Sequence, residues 1–336
     1  MATSSDKTAS APSRRIVWLA VFIVAAIIAY SGLWFYLASQ LESRSAFLID
    51  ELSARNVDAE CDAMDVRGYP FRLGVFCDAV SADDRRRRAT LAAGSFRSAA
   101  QVYRPNHIVS ELDGPVTVTA GDGSRATVDW QTLRSSAVFG LSGLSRASLQ
   151  SSSPAARLTP AGAADAVTVA ADSAEFHMRQ NNADLDAVLQ LASATLSGAG
   201  IALPAVDLQA DLTLADRAWL VSMGQRDGRN PWRDLSASLN ALTADLGDGA
   251  MLTATGPFSI DGDGYLTGKF DLEISGGDAW QAALQSAAPA DSGMMANAAN
   301  IIGSMIQAQG TLSLPLNIER GRVTVGFLTL GQLPPV

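Results

Sequence analysis

Cys61 and Cys77 are the only thiols in this chain, and their spacing is its most chemically pointed feature. Both lie in alternating stretches that flank Arg67-Gly68-Tyr69-Pro70, a sequence with strong turn chemistry. A hairpin centred on Tyr69 sets Cys61 opposite Cys77 and Val66 opposite Arg72. Directly opposed residues on antiparallel strands have Cβ atoms about 4.5 to 5.5 Å apart, so a modest adjustment reaches disulfide geometry. An oxidising compartment closes the pair, while a reducing one leaves two packed thiols. Two cysteines without neighbouring histidine supply too few soft ligands for structural zinc. No metal or other cofactor is expected.

His107 and His177 are the only histidines, so a catalytic triad or metal site would have to use one or both. The chain has no GxSxG elbow, no HExxH and no phosphate-cradling loop. Two structural histidines and no enzymatic activity are the expectation. Asp261 and Asp263 imitate the start of a calcium loop, but Tyr265 and Leu266 stand where a ligand and a glycine are needed, and Leu272 replaces the closing glutamate. That stretch reads as a hairpin turn. Arg85, Arg86, Arg87 and Arg88 form the one concentrated basic run, directly after Asp83 and Asp84. Two readings are open for it: contact with anionic lipid headgroups, at about 1 kcal/mol per residue, or a solvated turn paired with local acids. Carboxylates are abundant enough that no pair among them marks a catalytic dyad.

The elements that must position these residues are mostly strands. Val116 and Val118 alternate with threonines, Leu208 to Leu214 with Asp207 to Thr213, Phe270 to Ile274 with Asp271 and Glu273, and Leu312 to Ile318 with polar neighbours before Val323, Val325 and Phe327. Gly121-Asp122-Gly123, Gly247-Asp248-Gly249, Asp261 to Gly264 and Glu319-Arg320-Gly321 separate them as turns. Strands wet on one face and dry on the other belong to antiparallel meanders, which excludes a doubly wound parallel sheet. Three helices are expected: one capped at Asn181 or Asn182 and ending before Gly198, one from Asp278 through Trp280 and Leu284 to Pro289, and one from about Met295 to Gln309 with an Ile301, Ile302, Met305, Ile306 ridge. Leu235, Leu239, Leu242 and Leu246 fit helix or strand. Ser151-Ser152-Ser153-Pro154 onward to Gly162 reads as a long loop. The fold class is therefore mainly β with a few helices, a meander of amphipathic hairpins forming a curved sheet or groove.

From Ile16 to Leu41 no side chain is charged. A helix needs roughly 20 apolar residues to cross a hydrocarbon core of about 30 Å, and Ile16 to Leu37 supplies them. Trp18, Tyr30, Trp34, Phe35 and Tyr36 fall toward the ends of that stretch, where amphipathic rings favour the headgroup zone. Arg14 and Arg15 precede it and Glu42 follows, so the positive-inside bias leaves the N-terminus in the cytoplasm. A cleaved signal peptide is the competing reading, with Ala38 as the small residue at the cut, but such cores run only about 7 to 15 residues. The expected organisation is a cytoplasmic tail (1–15), a transmembrane helix (16–38), a helical stalk (39–56) and an exported β-rich domain (57–336). A net charge of −9 and a pI near 4.7 exclude nucleic acid as a partner.

The segment Val66-Arg67-Gly68-Tyr69-Pro70-Phe71-Arg72-Leu73, ending near Cys77-Asp78, resembles the hallmark of the domain of unknown function 2125 family. The run from Gly310 through Gly331 to Pro334 and Pro335 is similar to that family's ending. Members are envelope proteins of Gram-negative bacteria without an assigned activity, so the resemblance implies location and no mechanism. A looser, fold-level likeness links the anchor and hairpins to AsmA-like envelope proteins, whose curved sheets are associated with lipid handling. The function expected is a periplasmic protein, tethered to the inner membrane, that binds lipid or another apolar ligand in envelope maintenance or transport. The alternative is an assembly factor holding another envelope protein through sheet edges or the Ile301 to Ile306 ridge.

Overall fold

The computed structural model describes residues 14–163, 165–198, 200–221, 230, 232–287, 310–325 and 328–336. One helix, Arg14–Ala54, carries the whole apolar stretch and the stalk without a break. Beyond it the described residues form a single open antiparallel sheet of 22 strand segments, a 3-10 turn at Ala218–Val221 and a second helix, Gly277–Ala287. Each long strand pairs with those before and after it in the chain, so the sheet is a meander, as one-faced strands require.

In its first half the long strands are broken in two. Arg72–Cys77 continues as Val80–Asp84, Arg104–Leu112 as Val116–Thr119 and Gly143–Ser152 as Ala155–Thr159. Phe96–Gln101 follows Ala89–Ala93, Thr132–Gly140 follows Arg125–Asp129 and Ser173–Asn181 follows Val167–Ala170. The breaks lie side by side and bond across the sheet: Asp113 N–H donates to the Ser95 carbonyl, Gln131 to Ser152, Ser153 to Asp172, and Asp172 to Ala192. They make one crease. Where it reaches the strand Asp184–Gly198, Ser193 takes a positive φ of 52° as an inserted residue. Leu191 and Ala194 then face Leu208 and Val206, so the dry face survives the crossing.

Several expectations give way here. Asn182 to Gly198 is a strand, not a helix: Asn182 sits at φ 55° in a two-residue hairpin turn, and the stretch is paired on both sides by Ser173–Asn181 and Ile201–Leu214. Leu235–Asp245, whose spacing fits either period, is a strand. The stretch from Ser151 is no long loop, since Ala155–Thr159 pairs with Arg125–Asp129 and Val167–Ala170. Gly277–Ala287 is the helix expected from Asp278. The helix expected at 295–309 lies outside the described residues.

The turns of the meander lie along two edges, one near the apolar stretch of the helix and one far from it. At the near edge, the hairpin tip at Tyr69-Pro70 touches Tyr30, Ser31 and Trp34 of the apolar helix. At the far edge, the helix ends and Arg85 N–H donates to the Asn56 carbonyl.

Candidate functional site

The first hairpin carries the disulfide, in a register different from the one its turn suggests. Cys61 lies opposite Val80, and Val66 opposite Val75, because the tip is centred between Pro70 and Phe71 and closed by Arg72 N–H donating to the Gly68 carbonyl. Proline has no N–H to give the ladder, which moves the tip beyond Tyr69. A turn at Ala63, with φ 49°, then lets Cys61 reach Cys77 across the crease, their Cα atoms 5.2 Å apart. The two are bonded.

Register assigns the remaining side chains to faces, since directly paired residues share one. A single row crosses the sheet through Leu73, Ala100, Ile108, Ala137, Ala147, Met178, Ala187, Leu212, Leu239 and Gly256. Its nine inter-strand steps of about 4.8 Å come to about 43 Å. The next row toward the crease reads Leu149, Phe176, Leu189, Ala210, Leu242, Ala254, Leu272 and Leu314. Leu149 and Leu189 stand 38% and 41% exposed. At its C-terminal end Trp280 of the second helix packs, with Leu252 and Leu314, on Ile274 and Leu312, and Leu185, Leu235, Ala237, Phe270 and Ile318 of the same face are also buried.

The wet face holds the polar chemistry, and several of its charges are paired. Arg97 meets Asp113 at 2.7 Å and Glu111 at 3.5 Å, and Arg134 meets Glu111 at 3.0 Å. The Ser95 hydroxyl, and then Arg97, hold the Asp113 carboxyl below the usual carboxylate range. His107 bonds the Ser136 hydroxyl at 3.0 Å and His177 lies 3.2 Å from Glu175. These histidines are three strand spacings apart, about 14 Å, and do not share a site. No cluster of metal-ligating side chains occurs among the described residues. Asp261 and Asp263 form a turn: the Asp261 carboxylate accepts the Tyr265 and Asp263 N–H groups, and Arg320 pairs with both acids at 3.0 Å. Those bonds, the one from Tyr265 foremost, keep the Asp261 carboxyl below its ordinary range.

Arg85, Arg86, Arg87 and Arg88 occupy the far-edge turn. Arg85 pairs with Asp58 and Arg87 with Asp84, whose carboxylate also accepts the Arg86 and Arg87 N–H groups. From Ala38 to its end at Ala54 the helix rises about 24 Å. Arg85 and Arg87 thus sit in an ion-paired turn at the end of the helix opposite its apolar stretch. The Ile301 to Ile306 ridge lies outside the described residues.

The near edge carries what the sequence reading overlooked. The Trp34 indole donates to the Arg72 carbonyl at 2.9 Å and meets the Tyr69 ring edge-on, while Phe35 stacks on Tyr69. Beside this tip stand two more turns, bearing Tyr103 and Leu141; Val102 N–H donates to the Phe71 carbonyl, and the Asn106 amide to Phe139. Phe71, Tyr103 and Leu141 are 68%, 70% and 110% exposed. The available signal was an apolar residue in each of two turns, Val102-Tyr103 and Leu141-Ser142.

Comparison with curated proteins gives no match, and neither does comparison with solved structures; the looser likeness to AsmA-like proteins is not shown. A family model does match, over residues 34–334, beginning at the tryptophan that holds the first hairpin and taking in the rest of the described sheet. The chain therefore belongs to the family described as uncharacterized protein conserved in bacteria (DUF2125).

Proposed function

We propose that this is a single-pass protein of the bacterial cell envelope, its N-terminus cytoplasmic and its sheet in the periplasm, which holds lipid acyl chains on the dry face of that sheet. The helix has a mean hydropathy of 2.5 over its most apolar window, none of it buried. Arg14 and Arg15 before that window and Glu42 after it favour the stated orientation. The Cys61–Cys77 bond suits an oxidising compartment.

One observation carries the lipid reading: rows of apolar side chains run unbroken across the meander, and in its first half Leu73, Ala100, Ile108, Ala137, Ala147 and Met178 stay part-exposed while Leu149 and Leu189 stand exposed. Apolar patches beyond a few hundred Å² seldom face water without a partner. The near edge of this face lies level with the apolar helix, so acyl chains are the occupant already at hand. Buried apolar area contributes about 25 cal/mol per Å², whichever molecule covers it. Native mass spectrometry of the full chain after gentle extraction tests the assignment. Phospholipid retained at defined stoichiometry is the expected result; a delipidated protein that takes up none from nanodiscs would overturn it.

A further inference from the structure

We propose that the near-edge turns of the sheet, presenting Phe71, Tyr103 and Leu141, enter the interfacial layer of the same bilayer that the helix crosses. This rests on the membrane-anchor reading and is independent of lipid on the dry face.

The argument is one of depth. The Tyr69 hydroxyl meets the Ser31 hydroxyl at 2.8 Å, the Tyr30 hydroxyl donates to the Pro70 carbonyl, and the Trp34 indole donates to the Arg72 carbonyl. Those helix residues precede Ala38 by four to eight positions, about 6 to 12 Å of rise. A span that ends near Ala38 therefore draws the tip at Tyr69 to Arg72 into the headgroup and upper acyl zone. Tyrosine and tryptophan favour that layer because one end of each ring is apolar and the other can hydrogen-bond.

The neighbouring turns follow because the backbone ties them to the first. Tyr103 follows the residue bonded to Phe71, and Leu141 follows the strand end bonded to Asn106. An exposed leucine at the very tip of a turn has no partner in water, yet inserts favourably into acyl chains. Arg72 and Arg104, both exposed, flank these tips where phosphates lie. On these first strands the far-edge turns have the opposite composition, Arg85 to Arg88 and Gly121-Asp122-Gly123, and the near-edge turns farther along the meander, at Asn182-Ala183 and Asp261 to Gly264, are polar, so the apolar tips are confined to the part of the sheet beside the helix. Gly68 fixes the first tip, since at φ 122° a Cβ there would lie 2.7 Å from the Arg72 carbonyl oxygen. The Gly-Tyr-Pro-Phe-Arg segment thus acts as a membrane-seated brace for the sheet.

Depth measurement by nitroxide labelling tests this, because the native cysteines are consumed by their disulfide. Full-length Tyr103→Cys, Leu141→Cys, Arg86→Cys and Ile23→Cys variants are labelled in phospholipid nanodiscs and their collision rates with oxygen and with a water-soluble nickel complex compared. The expected result is severalfold lower nickel access at positions 103 and 141 than at 86, with position 23 lowest. Nickel access at 103 and 141 equal to that at 86, with 23 protected, overturns this inference and leaves the anchor standing. Nickel access equally high at 23 overturns the anchor and the inference together.

Discussion

Replacing Leu149 and Leu189 together with aspartate is the sharpest challenge to the lipid reading. Both lie on the dry face, joined through Phe176 in one cross-strand row, and they are 38% and 41% exposed, so the sheet loses little packing with them. Full burial of a leucine is worth about 1.5 to 3 kcal/mol; covering the remaining two-fifths yields about 0.6 to 1.2 kcal/mol each, or about 1 to 2 kcal/mol for the pair. Each new carboxylate set against acyl chain without a partner costs at least about 1 kcal/mol more. The total is about 3 kcal/mol or above, which is a loss of at least about 100-fold in affinity. Retained phospholipid is read by native mass spectrometry, with circular dichroism confirming the strand content of the variant. Gln190→Asp, one residue away on the wet face, supplies the control and keeps its lipid. A folded Leu149→Asp/Leu189→Asp protein with unchanged lipid occupancy, or an equal loss in Gln190→Asp, refutes the face assignment.

Three further outcomes follow from the geometry. Cys61→Ala/Cys77→Ala opens a bridge of sequence separation 16 and lowers stability by about 3 kcal/mol in the chain-entropy model, measurable as faster hydrogen exchange confined to the first hairpin. Gly256→Ala sets a Cβ 2.0 Å from the Lys269 carbonyl oxygen at φ 154° and costs about 3 kcal/mol or more in denaturant unfolding, whereas Gly123→Ala, with open space around it, costs only about 1 to 2 kcal/mol. Asp113 is held below the ordinary carboxylate range when folded, so its contribution is complete above about pH 4 and fades as pH falls through the lowered value. Asp113→Asn removes that contribution, and its thermal midpoint falls less steeply than the parent's on acidification below about pH 4.

The parts of the fold that obey one period were legible. The apolar helix, the turns at Gly121 to Gly123 and Asp261 to Gly264, and the alternation from Leu208 to Leu214 are each fixed by local composition. Inserted residues are what blurs helix and strand elsewhere. The pairing shift between Leu239 and Leu242 gives Leu235–Asp245 the three-and-four spacing of a helix. In Asp184–Gly198 the leucines at 185 and 189 fit both periods, and the residue inserted at Ser193 brings Leu196 to the same face at a helical spacing of seven, so the choice falls to the strands on either side, which need a partner. Asn182 looked like a helix cap because asparagine serves both a cap and a left-handed hairpin position. The near-edge tips stayed hidden for a different reason: Phe71, Tyr103 and Leu141 are far apart in sequence, and only the meander brings their turns together.

A sheet with one dry face has three ways to remain unaggregated: a second layer, protected edges, or a greasy partner. The first edge here is protected, since the helix Arg14–Ala54 lies along Val57–Cys61 and Asp65–Arg67 and buries Trp34 against the tip. At the opposite end Leu333 N–H donates to the Gly321 carbonyl and Val336 to Gly264, folding the chain back over the turns. Edge pairing with another protein is thus restrained at the first edge, while the dry-face rows through Leu73, Ala137, Leu149 and Leu189 stay part-exposed or exposed. The crease keeps that face continuous, because a strand broken without an inserted residue would have turned its leucines to the wet side. Continuity across inserted residues in strand after strand serves no purpose for two separate small cores. It serves one uninterrupted surface, and a flexible apolar chain can lie along such a surface where a rigid protein partner would have to match every twist.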